Sequence, residues 1–465
     1  MKKVSKEYVI LFVIVLVFSL YKIINISFSY DTDIFILNHK IMMNSWIGIS
    51  RFGLVFLKYI FHLYGDINIR TLNILTYINI FIYSSLFLKF MKADRKDNNL
   101  LRNILSIVLI ITSPILLEQY NFTLQSVEVS FAMILMVISF ITTYKYLKDD
   151  MIVYGIITIP LLVICFGTYQ SFVNLYIVGA LISLYKLSNK DNKKNIIKCI
   201  VMFIVSFILY YVISKLCINI MNIDSSNYIA DKIGWFFNIK VTLYGIIKDI
   251  IKVLVGYGHV LNLGYILCLF IAILYLIKEG KINYKSGYLI LLIISPFFLN
   301  VITGSRMVLR SMFVIPFLYS FIFFEFYDIN KYIKYLLIIL VSSQIINCYL
   351  LLISDYQRYK NDIEIGYKIY KDCGNNQDNY IYLYGIEKTE ENIDVVKGEV
   401  MGYSYYEWDN GLNTVAYDRV YLFLQIHNIN YKIDDDFIDL DFTEEYPNEG
   451  YIIKVDNKCY VNLGD

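Results

Sequence analysis

Long apolar runs alternate with short polar segments along the first three quarters of the chain. Each run is long enough to cross a bilayer as a helix. The first run follows Lys2, Lys3 and Lys6, is too long for a signal peptide and lacks a small-x-small cleavage site, so we read it as a span. The pattern predicts a polytopic α-helical membrane protein of about eleven transmembrane helices, at roughly 7–28, 69–91, 102–118, 127–146, 151–166, 171–186, 199–221, 259–277, 286–300, 310–328 and 333–353.

Composition supports this class, and charge divides the chain. Of its 465 residues, 57% are hydrophobic and 18% are charged, whereas soluble domains are about a quarter charged. Beyond residue 354 the chain has 23 Asp and Glu against 10 Lys and Arg, and the part before it has 32 basic and 17 acidic residues. We therefore predict two domains, a basic multi-span membrane domain at 1–353 and an acidic domain at 354–465.

Basic residues cluster in alternate connecting segments, which predicts the orientation. By the positive-inside rule these segments are cytoplasmic. This places the N-terminus in the cytoplasm and the domain at 354–465 outside the cytoplasmic membrane. The basic segments are the N-terminus, 92–96, 145–148, 186–198, 278–285 and 331–334, and the outer ones include 29–53, 118–128, 168–170, 222–240 and 304–306.

The acidic domain reads as a small α/β fold. Residues 379–386 resemble a strand, residues 414–429 have helical spacing, and residues 450–464 resemble a hairpin that turns at Asp456-Asn457. Cys373 and Cys459 are the two cysteines predicted outside the membrane. A disulfide between them and two separate buried thiols both fit the sequence.

Two aspartates stand directly after the first span. At the outer surface, Asp31 or Asp33 could act as a general base on a sugar hydroxyl. Two carboxylates spaced by one residue could also share Mg²⁺ or Mn²⁺. An Asp-x-Asp triplet is equally compatible with a solvated turn or a helix cap, so its position carries more weight than its letters.

Other polar groups fall on the same predicted face. Arg306 and Arg310 share a helical face and suit phosphate recognition, or they snorkel at an interface. Lys215 lies near the outer end of an apolar run, where a bound anion would offset the free-energy cost of placing a charged side chain in the membrane. Residues 239–256 read as an interfacial amphipathic helix that either packs on the membrane domain or borders a lipid-linked substrate. Candidate substrate-binding residues are Glu118, Gln125, Glu128, Tyr169 and Gln170.

These segments resemble a known family. The stretches "YDTDIFI…NSWIGISRFGLVFLK", "NFTLQSVEVSFAMILMV" and "FGTYQSFVNLYIVGALISLY" are similar to outer loops and spans of the GtrII-type glucosyltransferases, which belong to the GT-C class. The resemblance covers most of residues 1–350. It implies that an acidic residue of the first outer loop, matching Asp31 and Asp33, is catalytic. It adds Trp46 as a substrate contact, and it matches Arg51 to the family arginine, preceded by Ser50 where many members have Gly.

The resemblance also implies a donor and an acceptor. We expect a polyprenyl-phosphate-linked hexose donor, usually glucose, and a surface glycan or its lipid-linked precursor as acceptor, with no nucleic-acid partner. Arg51, Arg306, Arg310 and Lys215 would meet the donor phosphate. These cations could act without metal, so metal dependence stays open. The alternatives are a lipid-linked glycan polymerase or ligase, and a lipid-linked sugar transporter or flippase.

Overall fold

The fold was analysed in a computed structural model. It describes residues 5–27, 29–65, 68–95, 97–188, 192–224, 233–236, 238–280, 283–306, 308–388, 395–407, 414–430, 432 and 440–464. The chain forms two compact units. We call them the helical unit (Met1–Ile24 and Ile41–Cys348) and the mixed unit (Asn25–Lys40 and Tyr349–Asp465).

Helices account for most of the described chain. Short 3₁₀ turns lie at Gly234–Phe236, Ser295–Phe297 and Leu309–Ser311. In chain order the helices are α1 Lys6–Ile24, α2 Thr32–Leu37, α3 His39–Gly48, α4 Phe52–Phe61, α5 Ile69–Met91, α6 Leu100–Ile111, α7 Pro114–Asn121, α8 Thr123–Asp149, α9 Ile152–Thr168, α10 Phe172–Lys186, α11 Asn192–Ile220, α12 Ile239–Val255, α13 Gly264–Glu279, α14 Tyr284–Ile294, α15 Phe298–Thr303, α16 Val314–Phe326, α17 Lys331–Asp372 and α18 Thr414–Ile426.

Several of these helices have the length and composition of membrane spans. Within the described residues, seven helical stretches qualify, at Lys6–Ile24, Ile69–Met91, Leu100–Asn121, Thr123–Asp149, Asn192–Ile220, Tyr284–Thr303 and Lys331–Asp372. Shorter apolar helices lie at Phe52–Phe61, Ile152–Thr168, Phe172–Lys186 and Val314–Phe326. The protein is therefore a mostly helical membrane protein with a small sheet, and the count of eleven spans stays a prediction.

Proline explains two interruptions inside predicted spans. The run at 102–118 divides into α6 and α7, with Pro114 in the first turn of α7, where its missing N–H costs nothing. Pro296 likewise stands in the 3₁₀ turn between α14 and α15. Both breaks bring polar backbone and side chains into otherwise apolar segments.

Helix α8 forms the centre of the helical unit, packed against α5, α9 and α10. Its buried face is partly polar, because Thr76 of α5 donates to Ser126 at 2.9 Å and Asn79 donates to Ser130 at 3.0 Å. The α8–α10 contact depends on Gly179, since a Cβ there would lie 2.0 Å from the Phe140 ring. Interhelical hydrogen bonds and small residues of this kind are typical of helix packing in membranes.

The mixed unit contains a three-stranded sheet of β1 Tyr380–Tyr384, β2 Ile452–Val455 and β3 Lys458–Asn462. Strand β3 lies in the middle, parallel to β1 and antiparallel to β2. Strand β1, helix α18 and the β2–β3 hairpin lie where the sequence predicts them. The hairpin turns at Asp456-Asn457, and Asp456 has the positive φ of 53° that such two-residue turns require.

A disulfide joins the end of α17 to β3. It connects Cys373 and Cys459, whose Cα atoms are 5.8 Å apart. Of the two arrangements that the sequence left open, the structure therefore has the bridge. In the chain-entropy account, closing a loop of this length stabilises the fold by about 4 kcal/mol.

Candidate active site

Asp31 and Asp33, which follow α1 in the chain, lie in the mixed unit and differ sharply in environment. Asp31 immediately precedes α2 with a positive φ of 66°, a conformation that aspartate tolerates better than most residues. Its side chain is one-third exposed, and its Oδ1 lies 3.2 Å from Nε of Arg419 on α18. Asp33, two residues later in the first turn of α2, is completely buried.

Asp33 carries an unsatisfied carboxylate oxygen. The Tyr405 hydroxyl lies 3.4 Å from its Oδ1 and also donates to the Ser29 carbonyl oxygen at 3.0 Å. The other oxygen, Oδ2, is buried and has no hydrogen-bond partner within the described part of the chain, and the same holds for the side-chain hydroxyls of Ser29 and Thr32. Buried polar atoms are nearly always paired, so this cluster is suited to bind a polar group from outside the chain.

The surroundings also change the acidity of Asp33. Burial first, and then the neighbouring Asp31 carboxylate, raise the pKa of Asp33 to about 7. Backbone hydrogen bonds from Asp33 and Ile34 oppose this rise in the pKa, and the Arg419 cation opposes it to a smaller extent. A carboxyl that titrates near neutrality can accept a proton efficiently at physiological pH, whereas an ordinary aspartate is too weak a base.

A buried charge network holds residues 25–40 within the mixed unit. Arg358 of α17 contacts Asp355 at 2.7 Å and Asp362 at 3.4 Å, and all three side chains are at most 1% exposed. The Ser27 hydroxyl donates to Asp355 at 2.7 Å, and the Ser404 hydroxyl donates to Asp362 at 2.6 Å. The network thus connects Ser27 to α17 through Asp355 and connects Ser404 to α17 through Asp362, and the bond to Ser27 holds the chain just before the two aspartates.

Aromatic side chains complete this support. The rings of Tyr30 and Tyr405 lie 5.8 and 5.7 Å from the Arg358 guanidinium carbon, and the Tyr30 hydroxyl donates to the Tyr403 carbonyl oxygen. Tyr405 therefore contacts both the network and Asp33. The Tyr-rich sequence at 402–411 is compatible with stacking on sugars or with a place in the core. Tyr405 and Tyr406 are buried in the core, and residues 408–411 lie outside the described part of the chain.

Sequence reasoning missed Arg358, Tyr405 and Arg419. The signal for the network was present, because Asp355, Arg358 and Asp362 are spaced three and four residues apart on one helix, a spacing at which side chains meet. The roles of Tyr405 and Arg419 depend on contacts with residues more than 370 positions away and leave no local trace.

Three predicted residues come together in the helical unit. The Arg51 guanidinium carbon lies 4.4 Å from the centre of the Tyr169 ring. Its Nε donates to Gln170 at 3.3 Å, and Gln170 in turn donates to the Ile49 carbonyl oxygen at 2.8 Å. The start of α4 and the loop after α9 are thus joined through Arg51, Tyr169 and Gln170.

The structure explains why small residues suit positions 50 and 53, on either side of Arg51. Ser50 adopts a positive φ of 66°, which glycine adopts at lower cost. A Cβ on Gly53 would lie 2.5 Å from the Ile164 carbonyl oxygen and 2.8 Å from the Thr168 nitrogen. Gly53 therefore permits the close approach of α4 to α9.

Trp46 and Glu128, both predicted substrate contacts, are linked by Lys58. The Lys58 ammonium pairs with Glu128 at 2.9 Å, and both side chains are 1% exposed. It also lies 5.4 Å from the centre of the Trp46 ring. Lys58 stands inside an apolar helix and was not predicted. The pair is internal to the helical unit and does not face solvent.

The remaining predicted residues are spread over the helical unit. Arg310 lies 5.0 Å from the Phe122 ring, and Lys215 is exposed on α11, 5.8 Å from the Tyr211 ring. Arg306 forms a bidentate pair with Asp249 of α12, at 2.9 and 2.8 Å. Glu118 and Gln125 are buried, and Gln125 Oε1 has no partner within the described residues.

One cavity of about 730 Å³ opens in the helical unit. Its lining is mainly apolar and includes Arg306, together with Asn174 of α10 and residues of α12 and of the 304–308 loop. Within the described chain, no group of three or more His, Cys, Asp or Glu residues could hold a metal ion. Asp31 and Asp33 would supply two carboxylates at most, and Asp31 already faces Arg419.

Comparison with known families decides the relationship. The family model "Glucosyl transferase GtrII" matches residues 6–327. The chain belongs to the GtrII glucosyltransferase family. The match includes the Asp31-Thr-Asp33 segment, Arg51 and the Tyr169-Gln170 pair, whereas Arg358 and Tyr405 lie beyond it. No curated protein and no solved structure matches the chain.

Membership of the GtrII family makes the protein a glycosyltransferase of the glucosyltransferase type, with a sugar donor and a glycan acceptor. The preference for glycine that the resemblance implied at Ser50 agrees with the positive φ of that residue. In this GtrII chain a serine occupies the left-handed conformation before Arg51.

Proposed function

We propose that the protein transfers glucose from a polyprenyl-phosphate-linked donor to a surface glycan, or to its lipid-linked precursor, on the outer face of the cytoplasmic membrane. Asp33 would act as the general base. The observation that carries this proposal is the buried Asp33 carboxylate: among the described residues, its Oδ2 and the side-chain hydroxyls of its neighbours Ser29 and Thr32 have no hydrogen-bond partner.

The sequence left open which aspartate is the base, and the environments favour Asp33. Asp31 is partly exposed, and its carboxylate lies 3.2 Å from Arg419 Nε, so it already faces a cation of the chain. Asp33 is buried, and its pKa is raised to about 7, chiefly by burial and next by Asp31. Asp31 would therefore act on the reaction through the basicity of Asp33.

The proposed chemistry is a single displacement. Asp33 takes the proton of an acceptor hydroxyl while its oxygen attacks the anomeric carbon of the donor. The bond from that carbon to the phosphate oxygen breaks, and the polyprenyl phosphate leaves with the electron pair. A single displacement inverts the anomeric centre. The negative charge that builds on the leaving phosphate calls for nearby cations, and Arg51, Arg306, Arg310 and Lys215 are the proposed contacts.

Trp46, Glu118, Gln125, Glu128, Tyr169 and Gln170 remain proposed substrate contacts. Tyr169 and Gln170 hold Arg51, which supports a role in placing that cation. Glu128 is paired with Lys58, which supports a positioning role under Trp46.

The outer location of the chemistry is part of the proposal. The basic inner segments support it through the positive-inside rule. The Cys373–Cys459 disulfide supports it independently, because disulfides persist in oxidising compartments. We propose that residues 1–353 form the membrane glycosyltransferase domain and that residues 354–465 form an extracytoplasmic domain.

Mass spectrometry of the cell-surface glycan tests the function. Cells with the wild-type gene should carry a hexose that is missing from cells with Asp33→Asn, at equal protein levels in the membrane. Asp456→Asn makes the same chemical change at an exposed hairpin turn and should leave the glycan unchanged. If the glycan is the same with and without the gene, the proposed function is wrong; if Asp33→Asn keeps full transfer, the base is misassigned.

A further inference from the structure

The cavity of the helical unit combines an apolar wall with a charged group. Its volume of about 730 Å³ is in the range of small-molecule sites. Most of the lining surface is apolar, and Val241 and Tyr244 of α12, Leu299 of α15 and Val314 of α16 contribute to it, as does Val308. Arg306 adds a cation whose side chain is 59% exposed. An apolar space with one cation favours an anionic amphiphile as ligand.

Arg306 is held in place rather than mobile. Asp249, 4% exposed, binds its Nε and Nη2, which leaves the outer part of the guanidinium open. Gly245, one turn before Asp249 on α12, lets the arginine lie flat on the helix, because a Cβ there would be 2.8 Å from Arg306 Cδ. An arginine fixed by a carboxylate on one side is well placed to meet a phosphate on the other.

Asn174 is a second polar residue in the lining of the cavity. Asn174 is 6% exposed, and its Nδ2 donates to the Pro296 carbonyl oxygen at 3.0 Å. Its Oδ1 is buried and has no hydrogen-bond partner within the described residues. That oxygen can accept a hydrogen bond from a ligand hydroxyl. The cavity therefore offers a cation for an anion and an acceptor for a hydroxyl.

The apolar side of the cavity continues onto an exposed stripe. Val241 and Tyr244 line the cavity and are 65% and 69% exposed. Ile247, Ile251 and Val255 follow at helical spacing on α12 and are also exposed. An apolar stripe of this length on a protein surface marks a contact with lipid or another apolar chain.

We propose that this cavity binds the phosphate-bearing end of a polyprenyl-phosphate sugar, with Arg306 at the phosphate, Asn174 accepting a hydroxyl hydrogen bond from the sugar, and the exposed stripe of α12 along the prenyl chain. The identity of the lipid rests on the proposed function. The inference selects Arg306 from the candidate cations and adds Asn174, Gly245 and Asp249, which the sequence did not indicate as site residues.

Native mass spectrometry of the full-length protein in detergent tests the inference. The probes are undecaprenyl phosphate, uncharged undecaprenol and phosphatidylglycerol. Undecaprenyl phosphate should bind best. Arg306→Ala should weaken its binding by about tenfold or more, the usual effect of losing a hydrogen-bonded charge. Gly245→Val keeps the charge but displaces the arginine, and it should weaken binding similarly.

Lys252→Ala is the matched control. It removes one positive charge from the same helix at a residue that does not line the cavity, with its ammonium 4.3 Å from the Tyr257 ring. It should bind undecaprenyl phosphate as the wild type does. Equal binding of phosphatidylglycerol or undecaprenol, or an Arg306→Ala protein that behaves like Lys252→Ala, would overturn the inference.

Asn174 has a separate test, in which normal binding of undecaprenyl phosphate shows that the variant is folded. Asn174→Ala should bind undecaprenyl phosphate normally but lose the preference for undecaprenyl-phosphate glucose over the bare phosphate. A preference that persists would remove Asn174 from the site. Asp33→Asn separates this inference from the proposed function, since it should bind the lipid but not transfer glucose. If the cavity variants keep full binding while Asp33→Asn is inactive, only the inference on the cavity is wrong.

Discussion

Removing Arg358 should destabilise the mixed unit strongly. Its guanidinium is the cation between Asp355 and Asp362, at 2.7 and 3.4 Å, and none of the three side chains is more than 1% exposed. Arg358→Leu would leave two buried carboxylates without that cation. Breaking a buried ion pair by removing one partner costs about 3–5 kcal/mol, which is a large part of the stability of a typical domain.

Pulse proteolysis of the full-length protein in urea and detergent measures this loss, because cleavage reports the population of unfolded mixed unit. Lys360→Ala is the control, since it removes a positive charge from an exposed position two residues further along α17. It should change the free energy of unfolding by less than about 0.5 kcal/mol. An Arg358→Leu protein as stable as Lys360→Ala would refute the view that this network anchors residues 25–40.

Three further changes have definite expected outcomes. Lys58→Met should destabilise the helical unit by about 3–5 kcal/mol, and adding Glu128→Leu should restore most of the loss; thermal unfolding of both variants checks this, and a double mutant no better than the single one contradicts it. Ser50→Gly should raise stability by up to about 1 kcal/mol, because glycine relieves the positive φ, and a lower melting temperature would count against that reason. In denaturant without reductant, Cys459 should react with a thiol reagent in the Cys373→Ser protein but not in the wild type, because Cys459 is buried in the folded protein; equal reactivity in the denatured wild type would mean that the bridge does not form.

Periodicity and charge predicted the parts of the fold that depend on local sequence. The apolar runs indicated the membrane helices, and the alternating pattern indicated β1 and the β2–β3 hairpin. Pro114 and Pro296 interrupt two runs that hydropathy alone reads as continuous. Within the described residues, seven of the predicted spans coincide with helical stretches of membrane-span length, and the remaining four stay predictions.

The sequence predicted the two aspartates of the candidate site but not the side chains that surround them. The position of Asp31 and Asp33 after the first span pointed to them, but the burial of Asp33 depends on long-range contacts, Tyr405 among them. Lys58 was missed because a lysine within an apolar helix is expected to be unfavourable to bury, and only the structure shows that Glu128 is its buried partner. Contacts across more than 50 residues set both environments, and no local pattern encodes them.

The dependence of kcat/KM on pH tests the assignment of Asp33 most directly. A base must be ionised, so glucose transfer should fall about tenfold per pH unit below the pKa of Asp33, which burial and Asp31 raise to about 7. Asp31→Asn removes the second largest cause of that shift, so the acid limb of its profile should move to lower pH. Transfer that stays level from pH 8 to pH 5, or an acid limb that Asp31→Asn leaves in place, would contradict the account.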